Sequence, residues 1–408
     1  MYQLIAVIIS FMLIPILIRR SVKLSYTLLI TAAVLGILSG IGPSAFLNSL
    51  LSLVRDSSSL ETILTVTMVA ILGGLMKHFS LLDRMVNTMV IIIRNKKVIL
   101  MVVPALMGLL VIPGGAMLSA PFVNEIGEEL DIPAPRRAAI NLVFRHIAMF
   151  ILPYSTAILI VLATIPQLDY PRFILYNLFF VAIVIIVGYH IFLRDVKTEK
   201  APPAKNLLSN ILKLIIYTSP IYITVIINAI TGWPFYITLI ASVLIVYILS
   251  DKKDFIKVLF RSINLPTILT VAAVLIIKDI ILNMNDLLAI FNAMFAESSG
   301  LISTLMIFLI ASLFFGYITG NIIGALAIVL PMVAQLGLSG DTLYLYTYFV
   351  YGASFLGYFF SPLHLCQVFT LQVMGVTTGE VYSQYKRYAP TVFLFFLGSV
   401  FILRVIFG

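Results

Sequence analysis

Charged residues are scarce in this chain, and their scarcity identifies the solvent in which it folds. Only 11% of the 408 residues are Asp, Glu, Lys or Arg, and 61% are hydrophobic, whereas about 25% of the residues of a soluble domain are charged. Cysteine is rarer still, because Cys366 stands alone, so the chain forms no intramolecular disulfide and offers no pair of thiols. The sequence therefore predicts a polytopic membrane protein.

Enzyme motifs are missing as well. The chain has no Gly-Lys-Ser/Thr phosphate loop, no His-Glu-x-x-His pair and no nucleophile elbow. We therefore expect no enzymatic activity, no metal and no cofactor beyond a coupling Na⁺ or H⁺. A serine hydrolase built on Ser155 with His146 or His364 is a minor alternative. The net charge of +9 does not indicate nucleic acid, because the basic residues form short clusters between apolar runs, where they set topology.

Ten apolar runs are long enough to cross a bilayer, which takes roughly 20 residues. They cover residues 3–18, 25–41, 61–77, 138–165, 172–193, 207–230, 234–250, 265–282, 343–374 and 390–407. Two further apolar regions, 98–124 and 300–336, have Gly or Pro at their centres and too few residues for two crossings. We interpret both as re-entrant hairpins.

The Lys and Arg clusters orient these spans, since cytoplasmic loops carry an excess of both residues. Clusters at 19–23, 94–97, 136–137, 194–206, 252–261 and 386–387 all fall on one side of the predicted membrane. The loops on the other side carry few cations. This asymmetry predicts a multi-pass protein of the cytoplasmic (inner) membrane with both termini outside.

The chain divides into two halves with the same plan. A polar linker at 194–206 separates residues 1–193 from residues 207–408, and each half has five spans and one hairpin. ALMGLLVIPGG (105–115) matches ASLFFGYITGN (311–321), and FILPYST (150–156) matches YFFSPLH (358–364). Because five is odd, the second half enters the membrane upside down relative to the first. Inverted repeats with discontinuous helices are typical of secondary transporters.

Four interruptions of the helical pattern are expected to meet near the middle of the membrane. They are two hairpin tips, Pro113-Gly114-Gly115 and Thr319-Gly320-Asn321, and two breaks in long spans, 153–156 and 361–364. Non-helical backbone at membrane depth is tolerated only where protein or a water-filled cavity covers it. Each half-helix that starts after a tip presents free amides and a positive dipole end, which suit an anion.

Candidate binding residues follow from these positions. The candidates for substrate binding are Gly114, Gly115, Thr319, Gly320, Asn321 and Arg145, and those for a coupling ion or proton are Ser155, Thr156, Ser361, His364 and His146. An ionisable group within a span is costly enough to be functional by default, and an imidazole titrates near neutral pH. Simpler roles stay open. Arg145 would reach the cytoplasmic interface, and His364 would bond an unwound carbonyl. Thr319 and Asn321 would cap a half-helix.

With its hairpins, small polar tips and broken spans, the chain resembles the ion transporter superfamily. That superfamily includes divalent anion:sodium symporters, gluconate and C4-dicarboxylate carriers, arsenite permeases and sodium/proton antiporters, and the resemblance, nearest to a branch of prokaryotic integral membrane proteins, covers nearly the whole chain. It implies a homodimer, in which spans 1–2 and 6–7 hold a transport domain made of the hairpins and broken spans. In the symporters each tip carries Ser-Asn-Thr. Here the second tip keeps only Thr319 and Asn321, and the first has Pro-Gly-Gly.

The sequence thus predicts an all-α membrane protein with about ten transmembrane helices in two inverted repeats. We expect a secondary active transporter that moves a small organic or inorganic anion by alternating access, coupled to an ion or to protons. A cation/proton antiporter of the same fold and a channel are the alternatives. The antiporter is less favoured because no acidic residue lies in the apolar centre, and the channel because filters usually repeat around a symmetric pore.

Overall fold

The computed structural model describes residues 2–109, 116–198, 206–297 and 301–407, and these residues form helices and turns without a strand. In the first half the helices are α1 (Tyr2–Arg19), α2 (Leu24–Leu38), α3 (Pro43–Arg55), α4 (Ser57–His78), α5 (Leu81–Ile92), α6 (Lys96–Gly108), α7 (Ala116–Glu128), α8 (Ala134–Arg145), α9 (Ala148–Ile151), α10 (Thr156–Thr164) and α11 (Tyr170–Phe192). In the second half they are α12 (Leu207–Thr231), α13 (Phe235–Leu249), α14 (Phe255–Arg261), α15 (Leu265–Leu282), α16 (Asn285–Glu297), α17 (Leu301–Thr319), α18 (Ile322–Gln335), α19 (Gly340–Phe359), α20 (Leu365–Met374) and α21 (Thr378–Phe407).

Among the described residues, eight helical segments are long and apolar enough to cross a membrane, whereas the sequence predicted ten spans. They are Tyr2–Arg19, Ser57–His78, Ala134–Thr164, Tyr170–Phe192, Leu207–Thr231, Phe255–Leu282, Leu301–Thr319 and Thr378–Phe407. The all-helical, membrane-embedded character of the chain is confirmed.

Three predicted spans are shorter than expected, and one predicted hairpin is longer. The regions 25–41 and 234–250 contain α2 and α13, which have 15 residues each. That is roughly 22 Å of helix, against a hydrocarbon core of about 30 Å. The region 343–374 is divided between α19 and α20. In the second predicted hairpin, α17 alone has 19 residues and spanning hydropathy.

The segment from α8 to α10 is interrupted twice. The interruption after α9 was predicted from Pro153, which removes a backbone donor and disfavours helix at the preceding residue. Ser155 then caps α10, because its Oγ accepts a hydrogen bond from the amide of Ile158 at 3.4 Å. The predicted break therefore exists, and it ends at a capped half-helix.

The other interruption, at His146, was not predicted. In a continuous helix the His146 amide would donate to the Leu142 carbonyl, but here it donates to the carbonyl of Phe144. The His146 side chain takes the vacated acceptor, with Nδ1 2.6 Å from the Leu142 oxygen. A side chain that competes for a backbone acceptor weakens the helix locally, and no Pro or Gly marks the place.

The second long span is broken as predicted. The helix α19 ends at Phe359 and α20 begins at Leu365, so five residues, 360–364, separate the two helices. Ser361 Oγ donates to the carbonyl oxygen of Tyr317 at 2.6 Å, which ties this break to the end of α17. The break and the second hairpin therefore form one unit.

The second tip and helix α6 approach these breaks closely. Gly320 has φ +58°, and a Cβ there would lie 2.5 Å from the Cβ of Leu363, so this left-handed turn admits only glycine without strain. In the first half, a Cβ on Gly108 would lie 2.0 Å from the carbonyl oxygen of Arg145. Hence α6 touches the interruption at His146. The predicted first tip, Pro113-Gly114-Gly115, lies outside the described residues.

Helices of the two halves pack against each other. The α7 helix of the first half packs against α20 of the second, and α18 of the second half packs against α10 of the first. All residues from Leu343 to Phe359 of α19 are buried. By contrast, α12 keeps most of its surface exposed. The broken helices therefore occupy the centre of the protein.

Candidate functional site

The two breaks bring two histidines together from opposite halves of the chain. Nε2 of His146, just after α8, lies 3.1 Å from Nε2 of His364, just before α20. Both side chains are buried. Each was predicted separately as a candidate for a coupling proton, and their contact across 218 residues was not predicted.

Backbone carbonyls orient both imidazole rings. Nδ1 of His146 lies 2.6 Å from the oxygen of Leu142, and Nδ1 of His364 lies 3.3 Å from the oxygen of Phe359. A carbonyl oxygen only accepts, so these contacts assign the ring proton to Nδ1 in each case. Both Nε2 lone pairs then face each other, with the hydroxyl of Tyr358 3.3 Å from the His146 nitrogen.

Arg145 lies beside this pair, at the end of α8. Its Nη1 is 3.4 Å from the hydroxyl oxygen of Ser119 on α7, and the Cys366 thiol and the Tyr358 ring are further neighbours of the guanidinium. The side chain is buried, so the interpretation that Arg145 snorkels to the cytoplasmic interface is wrong. The guanidinium lies inside the protein, next to Ser119 of α7.

Two other buried cations of the described chain each have a carboxylate partner, and Arg145 has none. Arg137, which is 9% exposed, pairs with Glu128 at 3.0 Å, and Lys278, which is 5% exposed, pairs with Asp279 at 3.3 Å. Arg145 is 6% exposed, yet the ion pairs of the described residues do not include it. Its neighbours are neutral side chains.

Of the two polar residues of the second tip, only Asn321 caps the following half-helix. Its Oδ1 accepts from the amide of Ile323 at 2.8 Å as N-cap of α18, whereas Thr319 Oγ1 donates to the carbonyl oxygen of Phe315 within α17 at 2.7 Å. The capping interpretation is confirmed for Asn321, and a role of either residue in binding stays a prediction. Gly320 lies against Leu363, the residue before His364.

The remaining candidates lie at the breaks or outside the described chain. Ser155 Oγ also lies 3.3 Å from the carbonyl oxygen of Met149, and Thr156 is buried at the start of α10. Ser361 bonds the end of α17, as described above. Gly114 and Gly115 lie outside the described residues.

Three residues of this site, Ser119, Tyr358 and Cys366, were not predicted as candidates. Nearby, Asn141 Nδ2 donates to Thr370 Oγ1 at 2.9 Å, a buried hydrogen bond that joins α8 to α20. The His-x-Cys spacing of His364 and Cys366 was a visible signal for one of the three. Among the described residues, His146, His364 and Cys366 each bring one ligand atom to within 4.8 Å of the others.

Comparison with known proteins adds a family but no activity. The family model described as "Protein of unknown function (DUF401)" matches residues 2–406. None of the curated proteins matches the chain.

Proposed function

The chain belongs to the DUF401 family, and we propose that it is a secondary active transporter, which moves a small anion across the membrane by alternating access. One observation carries the proposal, namely the buried guanidinium of Arg145, which has no carboxylate partner among the described residues. It lies where broken helices of the two halves meet.

A buried cation without a counter-charge destabilises the folded protein, because the cation loses its hydration and no negative charge compensates for that loss. The neighbours Ser119, Cys366 and Tyr358 supply a hydroxyl, a thiol and a phenol, and none of them is a carboxylate. The segment 110–115, which continues from Gly108, contains no acidic residue. A mobile anion would supply the missing charge, and the Ser119 hydroxyl would donate a hydrogen bond to it.

The order of the helices supports alternating access. Each half runs through two apolar helices, a short helix, a spanning helix, another short helix, a hairpin, a broken segment and a last spanning helix. This order supports two inverted repeats at 1–193 and 207–408, whose relative rocking would expose one central site to each side in turn. The crossed packing of α7 on α20 and of α18 on α10 supports a site built from both halves of the chain.

The resemblance to the ion transporter superfamily is consistent with these features, and we propose membership on that basis. An ion gradient then drives the cycle. The capped breaks at Ser155 and Ser361 would contribute hydroxyls and unwound carbonyls to a coupling ion.

The test is the thermal stability of the purified protein in a panel of anions at constant ionic strength. Carboxylates, sugar acids and inorganic oxyanions are compared with chloride, because a ligand of the folded state stabilises it by about 2.7 kcal/mol at 100 times its Kd. We expect one anion class to stabilise the wild type and not Arg145→Met. Lys278→Met is the matched control, because it removes an equally buried cation that has its own carboxylate.

Two outcomes would contradict a role of Arg145 in anion binding. Stabilisation that persists in Arg145→Met, or that is lost equally in Lys278→Met, would remove Arg145 from the binding site. Uptake of the stabilising anion into proteoliposomes then distinguishes transport from binding alone.

The inverted arrangement has a separate test. In a Cys366→Ser background, single cysteines at Arg94, before α6, and at Asn285, at the start of α16, are labelled with a membrane-impermeant maleimide. Both positions are exposed. We expect labelling from opposite faces of the membrane, and labelling of both from one face would rule out hairpins that enter from opposite sides.

A further inference from the structure

Three side chains at the crossing of the two halves form a set of ligands for a soft metal ion. His146 and His364 offer Nε2 atoms and Cys366 offers Sγ, all within 4.8 Å of one another. We infer that this trio, the crossing cluster, binds a soft monovalent metal ion of the Cu(I) type. This inference goes beyond anion transport and does not depend on it.

The orientation of the two imidazoles is the first argument. Each Nδ1 faces a backbone carbonyl, so each Nε2 presents a lone pair to the other ring at 3.1 Å. Metal-binding histidines typically show this arrangement, in which the second nitrogen donates to a carbonyl and fixes the ring. Two nitrogens about 2.0 Å from one tetrahedral ion lie roughly 3.3 Å apart. The two nitrogens are therefore within a few tenths of an ångström of the spacing that an ion requires. The three ligand atoms lie within 4.8 Å of one another, so binding draws the sulfur closer to the nitrogens.

The types of ligand are the second argument. Thiolate sulfur selects Cu(I), Zn(II) and similar ions, and imidazole suits the same metals, whereas hard ions prefer oxygen. Cys366 is half-buried, which leaves a route for an incoming ion. The thiolate is the form of cysteine that binds a metal.

The net charge of the buried cluster favours a monovalent ion over a divalent ion. The thiol loses its proton when it binds a metal, so Cu⁺ replaces H⁺ and the net charge of the buried cluster does not change. A divalent ion would add one positive charge beside Arg145, in a place where the described residues provide no carboxylate. Burial makes that extra charge costly. Zn(II) should therefore bind more weakly than Cu(I).

A metal ion at the crossing cluster would connect the two halves of the chain. His146 follows α8 in the first half, and His364 and Cys366 border α20 in the second half. An ion bound to all three would link the two broken segments. If those segments must separate during transport, the ion locks the protein in the conformation described here.

The experiment uses the full-length protein in detergent under reducing, oxygen-free conditions. Cu(I) binding is measured by competition with a chromophoric Cu(I) chelator. We expect one equivalent per chain, and binding weakened by at least about 10- to 100-fold in His146→Gln, His364→Gln and Cys366→Ser, since the loss of an outer-shell partner alone has that effect. His190→Gln is the matched control, because His190 is exposed and is not one of the three grouped ligands, and it should bind like the wild type.

X-ray absorption of the Cu(I)-loaded wild type provides a readout that needs no variant. One sulfur and two nitrogen neighbours support the crossing cluster, and because Cys366 is the only thiol of the chain, a methionine site is recognised by its persistence in Cys366→Ser. The inference is overturned if Cu(I) binds the three variants as tightly as the wild type, or does not bind the wild type at all. Zn(II) that binds as tightly as Cu(I) would overturn the charge argument. Because the assay needs neither an anion nor transport, its failure leaves the proposed function untouched.

Discussion

Replacing each of two buried cations by methionine should change the stability of this protein in opposite directions. Arg145 and Lys278 are almost equally buried, at 6% and 5% exposure. Lys278 Nζ lies 3.3 Å from Asp279 and 3.5 Å from the carbonyl oxygen of Ala163, at the C-terminal end of α10. Arg145 has only neutral neighbours. Methionine keeps most of the side-chain length in both cases and removes the charge.

The expected magnitudes follow from these partners. Arg145→Met removes a buried charge that nothing neutralises, and replacing buried charge by well-packed apolar groups typically stabilises by about 1–4 kcal/mol. The long contact to Ser119, at 3.4 Å, recovers little of that cost in the wild type. Lys278→Met leaves the Asp279 carboxylate without its cation, which for a fully buried pair costs about 3–5 kcal/mol. Asp279 still accepts a hydrogen bond from Ser52 and is partly exposed, so we expect about 2–3 kcal/mol.

The assay is reversible or kinetic unfolding of both variants in the same detergent, with no anion other than chloride. Arg145→Met should be more stable than the wild type and Lys278→Met less stable. Arg145→Met should also lose stabilisation by the anion, which is the trade-off expected when a functional site is built at the expense of stability. If Arg145→Met is destabilised as strongly as Lys278→Met, then Arg145 is a structural residue and the proposed function loses the observation that carries it.

Two further substitutions test the local geometry. Gly108→Ala places a methyl group 2.0 Å from the Arg145 carbonyl oxygen and should cost about 1–3 kcal/mol by overpacking. Gly398→Ala, in the open interior of α21, should instead gain up to about 1 kcal/mol; equal effects in thermal unfolding would refute the close approach of α6. Asn321→Ala should lose about 0.5–2 kcal/mol with the cap on the Ile323 amide, whereas Asn321→Asp keeps the accepting oxygen and the stability. If Asn321→Asp retains stability but loses anion binding, Asn321 is a ligand as well as a cap.

The hairpin tip and the breaks show what local sequence decides. Pro153 and Pro362 cannot donate a backbone hydrogen bond, and each was enough to place an interruption that the structure has. Asn321 was recognised as a capping residue because its side chain accepts from the amide of Ile323, two residues further along the chain. Such features depend on near neighbours in the chain, and composition alone established the membrane environment.

The pair of His146 and His364 shows what only the tertiary structure decides. The two residues are separated by 218 positions, and nothing in the sequence near either one specifies the other. Their contact arises from how α8 and α20 cross, which depends on the packing of every helix around them. The missing counter-charge of Arg145 likewise is a property of the whole surrounding shell. Sequence therefore identified a membrane protein with broken helices, and the fold determined which of its polar residues share a site, because proximity between distant residues is a result of packing.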